Sequence, residues 1–465
     1  MLLSRSLRMF SVAAMPLLLL LSIAAGSRSP AELKALHIPR GLLMCSGADS
    51  LFLEAVTMIE QLRSHNSSSM LPIVVSHCAE LGAKSTAILQ SIEAVHVMNI
   101  CGKQALKGSF FQEKRARGFF CKAISLVLSP FQETLLVDSD VIWFRRPELL
   151  FDSPRYVQTG ALFMRDRLTV TRNKLTLTGG EGSLRAVLSY IKKLKARIDA
   201  FKAALPESSA SQQRIVNDIY SGGNWDGKSF RNFSELAAHN SFWQPAAGGT
   251  VLDHCQDSSA LLLNARSHPH TLLLLKLMVS DFSLGYGDKE IYWLAATVAG
   301  EAFAFEPYAA GSLGDCGAIV HFDPRSEGVA GGRRVEPFYV NAEYLVDLSK
   351  VSRAGQFIAS ADSDGGAVAT LLSAQVSAPL YISPDAEQST RVTVLRDWRN
   401  MPHGFYPCGS CRGGCAPAAQ PLLQEVLLRQ RFLLELKNVS SKEELGLEGY
   451  RRAKEKAYGQ FVHSP

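Results

Sequence analysis

Two aspartates one residue apart, Asp138 and Asp140, follow a short apolar run from Leu135 to Val137, and a second apolar run begins at Val141. In extended backbone, residues i and i+2 point the same way, so both carboxylates are expected to converge at the end of a buried strand. Such a pair needs a compensating charge, and a hard divalent cation with oxygen ligands supplies one. A cation held there can clamp a diphosphate, which implies an enzyme acting on a nucleotide-activated substrate. The chain carries its own control. Asp362-Ser-Asp364 is the same tripeptide, but it sits among Ala, Ser and Gly with no strand leading in, and it reads as a surface turn.

Three other stretches could join the pair. His321 stands at the end of an apolar strand, Ala318-Ile-Val-His321, and is the candidate third metal ligand. Gly287-Asp-Lys-Glu290 opens a predicted helix, where Lys289 could meet phosphate oxygens and Asp288 a sugar. Gln256-Asp-Ser-Ser259, just before a predicted strand, could reach substrate hydroxyls. The first two have plainer alternatives: a core histidine, and a helix cap with a dipole-complementing glutamate. His403, Cys408, Cys411 and Cys415 could hold zinc, but in an oxidising compartment disulfides are the simpler reading.

The elements that must position these residues alternate. Strands are expected at Gly41 to Cys45, Leu71 to Ser76, Ala94 to Asn99, around Leu135 to Val137, Gly160 to Met164, Ala260 to Asn264 and Gly317 to His321. Helices are expected at Ser50 to Arg63, Ala79 to Ile92, Lys114 to Leu128, Pro147 to Phe151, Ser183 to Phe201, Thr271 to Val279, Asp288 to Thr297 and Leu422 to Leu436. This order predicts an α/β fold, a mostly parallel sheet covered by helices on both faces, with ligands at the carboxyl ends of its strands. Residues 206–240 are polar and read as a loop or insertion.

The composition is globular, with 47% apolar and 20% charged residues. A net charge of +6, spread along the chain, argues against a nucleic-acid partner. Arg5 and Arg8 precede an uncharged run from Met9 to Ala25, the pattern of a cleaved signal peptide or an uncleaved signal anchor. Lumenal placement agrees with acceptor triplets for glycosylation at Asn66, Asn232 and Asn438, and with disulfides among nine cysteines. The expected organisation is a leader over 1–30, a catalytic domain over 31–350, and a C-terminal extension over 351–465 bearing the cysteine cluster.

Taken in order, the segments resemble the fungal-type alpha-1,3-mannosyltransferase family. The series runs from Gly41-Leu-Leu-Met-Cys-Ser-Gly47 through Gln61-Leu-Arg63, Leu71-Pro-Ile73, Lys122-Ala123 and Ser129-Pro-Phe131 to Leu135-Leu-Val-Asp-Ser-Asp-Val141. It continues with Pro147-Glu-Leu-Leu-Phe151, Thr159-Gly-Ala-Leu-Phe163, Arg165-Asp-Arg167, Asp257-Ser-Ser259, Gly287-Asp-Lys-Glu290 and Trp293-Leu-Ala295. The resemblance implies a GT-A-like fold with a Rossmann-like nucleotide-binding half. It implies manganese on Asp138, Asp140 and His321, and the nucleotide sugar against Gly41, Ser46, Gly47, Lys122 and Lys289. Asp257 and Asp288 would lie near the transferred sugar as catalytic residues. The implied activity is a retaining transfer of mannose from GDP-mannose to a glycan or glycoprotein, by a single-pass type II Golgi or ER membrane enzyme, or one secreted after cleavage. A UDP-sugar donor (galactosyl or glucosyl) and a non-catalytic glycan-binding relative are the alternatives. The stretch between Arg167 and Asn240 and the tail beyond Leu348 depart from the family pattern.

Overall fold

The computed structural model describes residues 27–47, 50–64, 69–101, 116–165, 181–206, 209–223, 225, 256–282, 284, 287–307, 311–313, 318–326, 337–341, 380–381, 415–416, 420–440 and 445–458. Residues 1–26 of the leader, Asn66, Asn232, the Asp362–Asp364 control, His403, Cys408 and Cys411 lie outside them.

The central sheet has seven strands: β1 (Arg40–Cys45), β2 (Ile73–His77), β3 (Val95–Asn99), β4 (Glu133–Val137), β6 (Ala161–Arg165), β7 (Gln256–Asn264) and β8 (Ala304–Phe305), in the order β3-β2-β1-β4-β7-β6-β8. The pairs β2–β3, β1–β2, β1–β4 and β6–β8 are parallel, and β7 runs antiparallel to both neighbours. This is the mixed, mostly parallel sheet expected. Its strands are buried runs of Leu, Ile and Val because both faces are covered. Leu42, Met44, Leu135 and Val137 point into one hydrophobic core, and Leu43, Val74, Leu136 and Leu261 into a second on the opposite face.

The order reverses between β1 and β4. From β1 the sheet grows outward through β2 and β3, and β4 is added on the other side. Met44 pairs with Val137, so the carboxyl ends of β1 and β4 lie side by side where the topology switches. That edge is where an open α/β sheet takes its ligand.

Directly after β4 the chain leaves this sheet. Residues 138–140 form a turn into β5 (Val141–Trp143), which belongs to a second sheet with β9 (Gly311–Leu313), β10 (Ala318–Phe322) and β11 (Pro337–Asn341). The expectation that strand alternation aligns the two aspartates is therefore corrected. They sit on a turn between sheets, because Val141 must pair with Asn341 instead of continuing along β4.

Three other boundaries differ from expectation. β7 starts at Gln256, so the polar tetrapeptide lies inside the strand; a register shift against β6, where Met164 pairs with Asp257, accommodates it. The helix predicted from Asp288 begins at Ile291, after a turn over 287–290. Within the stretch read as loop, Ala210–Gly222 is a helix that buries Val216 and Ile219.

Candidate active site

At the switch point, Ser46 follows β1 as a buried residue whose amide donates to the Ser76 carbonyl at 2.9 Å, and Gly47 is buried beside it. Both lie at the ligand edge. Gly41 does not. It stands four residues back along β1, paired with Thr134, and a Cβ there would fall 2.2 Å from Cζ of Phe131. The glycine is needed for ring packing, so its expected nucleotide contact is not supported by its position.

Lys122 comes from the Phe120–Val127 helix, and a disulfide between Cys45 and Cys121 ties that helix to the end of β1. Its Nζ lies 2.7 Å from Asp138 Oδ1 and 3.2 Å from Asp288 Oδ2, and donates to Ser258 Oγ at 2.9 Å and the Ser258 carbonyl at 3.1 Å. Burial alone would depress this ammonium, but Asp138 and Asp288 hold it above the usual lysine range. Asp288 also accepts from Ser258 Oγ at 3.1 Å and from the Tyr292 hydroxyl at 2.6 Å. Gly287, at φ +65°, makes the left-handed turn that sends Asp288 inward. The sequence placed Lys122 against the nucleotide sugar; here it is the buried cation joining Asp138 to Asp288.

Burial raises the pKa of Asp138, with Lys122 opposing and Asp140 and Asp288 adding to the rise. Asp140 is raised by burial and by Glu54, against the pull of Arg429 and Lys122. Two carboxylates that resist ionising together are short of positive charge. The Asp138 amide donates to the Ser259 carbonyl at 2.8 Å, which fixes the turn against β7.

His321 is placed differently from expectation. Its Nε2 is 2.9 Å from Asp257 Oδ2 and its Nδ1 is 2.6 Å from Glu306 Oε1, and its ring stacks on Tyr339 with centroids 4.6 Å apart. Burial would lower its pKa, but the two carboxylates outweigh burial and bring it up to about 10. In this arrangement each ring nitrogen faces a carboxylate oxygen. Among the described residues, no group of three His, Cys, Asp or Glu side chains is arranged to hold a metal ion. His321, the expected third ligand, stands in a buried Asp257–His321–Glu306 chain. Asp257 is completed by Ser259, whose hydroxyl donates at 2.6 Å, and by the Asn341 amide at 3.4 Å. These partners, led by the His321 hydrogen bond, overcome burial and hold its carboxyl far below the usual range. Lys289, half-buried on the turn, adds its charge to the same effect.

Residues 40–325 match the mannosyltransferase family model described as "Mannosyltransferase putative", more than half of the chain. The chain belongs to this mannosyltransferase family. Alpha-1,3-mannosyltransferase MNT3 of Saccharomyces cerevisiae is 26% identical over 212 residues, covering 44% of this chain and 28% of the relative. "Probable alpha-1,3-mannosyltransferase MNT4" of the same yeast is 23% identical over 299 residues, covering 59% and 44%. The chain thus spans less than half the length of these curated relatives. Among solved structures, mannosyltransferase Ktr4p from S. cerevisiae in complex with GDP aligns over 61% of this chain and 74% of its own, at 12% identity and a TM-score of 0.31. Mouse xyloside xylosyltransferase 1 aligns over 56% and 82%, at 13% identity and a TM-score of 0.28.

Sequence reasoning missed Glu306, Tyr292 and Arg429. Glu306 follows a two-residue strand with no local pattern to mark it. Tyr292 lay within an expected helix but was not singled out. Arg429 lies on the tail helix, far outside the family match.

Proposed function

We propose that the chain is a lumenal, metal-dependent mannosyltransferase that moves mannose from GDP-mannose to a glycan acceptor with retention. The observation that carries the reading is the crowding of Asp138, Asp140 and Asp288 around Lys122 at the topological switch point of the sheet. That edge suits a diphosphate, and family membership favours mannose over the galactose and glucose donors.

Asp138 and Asp140 would hold the divalent cation, manganese in this reading. The donor set fits: two hard oxygen ligands, short of positive charge, match a cation that completes its shell with water and substrate phosphates. Bound there, the cation supplies charge stabilisation to the departing nucleoside diphosphate. The protein's own groups do the rest. The backbone at Ser46 and Gly47 borders the nucleotide, and Lys289 contributes positive charge on the opposite turn. Lys122 keeps Asp138 and Asp288 in fixed relative positions, so their negative charge is already oriented when the anomeric carbon becomes cationic. Asp257 is held ionised by His321 and adds to the same field. Gln256, fully buried next to Asp257, has no hydrogen-bond partner for either amide atom among the described residues and leaves polar capacity where sugar hydroxyls would lie. For the lumenal placement, support comes from the leader-like N-terminal sequence. No described helix is long and apolar enough to cross a membrane.

The test is transfer with GDP-mannose, UDP-galactose and UDP-glucose, with and without manganese. Asp138→Ala and Asp140→Ala are expected to remove metal-stimulated transfer from GDP-mannose while the variants stay folded by circular dichroism. Full activity in both variants, or turnover of a UDP-sugar in place of GDP-mannose, would overturn the corresponding part of the reading.

A further inference from the structure

The C-terminal helix Gln420–Ser440 lies about a hundred residues beyond the end of the family match, yet it is built into the core under the Asp138–Asp140 turn. Phe432, Leu433 and Leu436 belong to the same hydrophobic cluster as Val137, Val141 and Trp143. The following helix, Leu447–Tyr458, adds Tyr450, Ala453 and Ala457 to it. Both are anchored to the Ser50–Ser64 helix, where Glu60 accepts from the Tyr450 hydroxyl and pairs with Lys454 at 2.6 Å. Glu425 accepts from Gln61 at 3.0 Å, and the same Gln61 nitrogen donates to the Trp143 carbonyl at 3.0 Å.

One side chain on this helix reaches the turn itself. Arg429 is fully buried, and its guanidinium donates to the carbonyls of Ser139 and Val141, the two residues that flank Asp140. It also donates to the Glu54 carbonyl and the Thr57 hydroxyl, each at 3.3 Å. Ser139 is held from its other side by donating its hydroxyl to the Glu54 carboxylate at 3.0 Å. A planar fork gripping the carbonyls on both sides of one residue limits the backbone rotation that would swing its side chain. A lysine, with a single nitrogen, reproduces only part of this grip.

We propose that Arg429 is a positioning residue of the active site, and that the C-terminal helix is part of the catalytic unit because it fixes the backbone on either side of Asp140. This rests on the reading of Asp138 and Asp140 as the metal-binding pair. The guanidinium is not a ligand and touches no substrate; it sets where the Asp140 carboxylate stands before any cation arrives.

The experiment compares the full chain with Arg429→Met, Arg429→Lys and Phe432→Leu. Phe432→Leu disturbs the same helix while leaving the Arg429 hydrogen bonds to the turn in place. Manganese binding is titrated directly from the paramagnetic resonance signal of the free ion, and hydrogen exchange of residues 138–143 is followed without metal. Arg429→Met is expected to weaken manganese binding about 10- to 100-fold, as loss of an outer partner of a metal ligand does. Exchange over the turn should quicken by about tenfold or more, since charge-assisted hydrogen bonds are lost. Arg429→Lys should fall between, and Phe432→Leu should leave both readouts within about twofold of the parent. Should Arg429→Met fail to fold, Arg429→Lys carries the comparison. Parental binding and exchange in the folded arginine variants would overturn the proposal, as would equal losses in Phe432→Leu. If the parent chain binds no manganese while the arginine variants still loosen the turn, the metal reading fails and the positioning role stands.

Discussion

Replacing Lys122 by Met leaves its helix and packing largely intact but removes the cation that lies 2.7 Å from Asp138 and 3.2 Å from Asp288. Breaking a buried pair by removing one partner costs about 3–5 kcal/mol. Two observations place the expectation at the lower end. The Asp288 carboxylate keeps the Ser258 and Tyr292 hydroxyls, and 28% of the Asp138 side chain is open to solvent. About 3 kcal/mol near pH 7.5 is expected, read by urea unfolding of the metal-free chain. Burial, opposed by Lys122, already raises the Asp138 carboxyl to about 7, and losing the Lys122 charge raises it further. Its ionisation then opposes folding, and the deficit should shrink as pH falls toward about 5 and the Asp138 carboxyl takes up its proton. Manganese should also narrow it, because the cation restores the missing charge. In a double-mutant cycle, Asp288→Asn in the Lys122→Met background should recover about 1–2 kcal/mol, the range of coupled contacts. A cost below about 1 kcal/mol, unchanged by pH and by Asp288→Asn, would refute the view of Lys122 as the charge centre of the site.

Two further outcomes follow from the fold around that centre. The Cys45–Cys121 disulfide closes a stretch of 76 residues, and replacing both cysteines by serine should lower stability by up to about 4 kcal/mol in the loop-entropy estimate. Thermal unfolding under non-reducing conditions measures it, and parental stability in the double variant would show that no such bond forms. His77 is buried, donating Nε2–H to Ser27 and accepting at Nδ1 from the Leu81 amide, and burial pushes its pKa down to about 4. Its stabilising contribution is whole above the ordinary histidine value and is lost as pH falls from about 6.5 toward about 4, because only the unfolded chain takes the proton. The slope is at most about 1.4 kcal/mol per pH unit, and His77→Gln should flatten it in urea titrations across that range.

Much of the site was legible because its signals are local. A strand rich in Leu and Val that stops at an acidic pair announces a sheet edge, and the alternation of elements places that edge where a parallel sheet takes ligands. Asp138 and Asp140 follow β4 at that edge, and Lys122 links Asp138 to Asp288; Ser46 and Gly47, which came from the family resemblance, follow β1 beside them. Glycine is a weaker signal. Gly41 and Gly47 look alike in sequence, but the first is small to seat Phe131 and the second lies at the ligand edge.

The sequence by itself determined the class of sheet, the strand end that the acidic pair follows, and the family. Tertiary structure decided what each charge faces. The sequence read His321 as a metal ligand or a core histidine, and β10 sets it between Asp257 and Glu306, which are 64 and 15 residues away along the chain. Lys122 became the partner of Asp138 and Asp288 only when its helix was pinned to β1. Arg429 reached the Asp140 turn across 290 residues of sequence. Charge pairing depends on distances in space, and burial strengthens it; a linear pattern records neither.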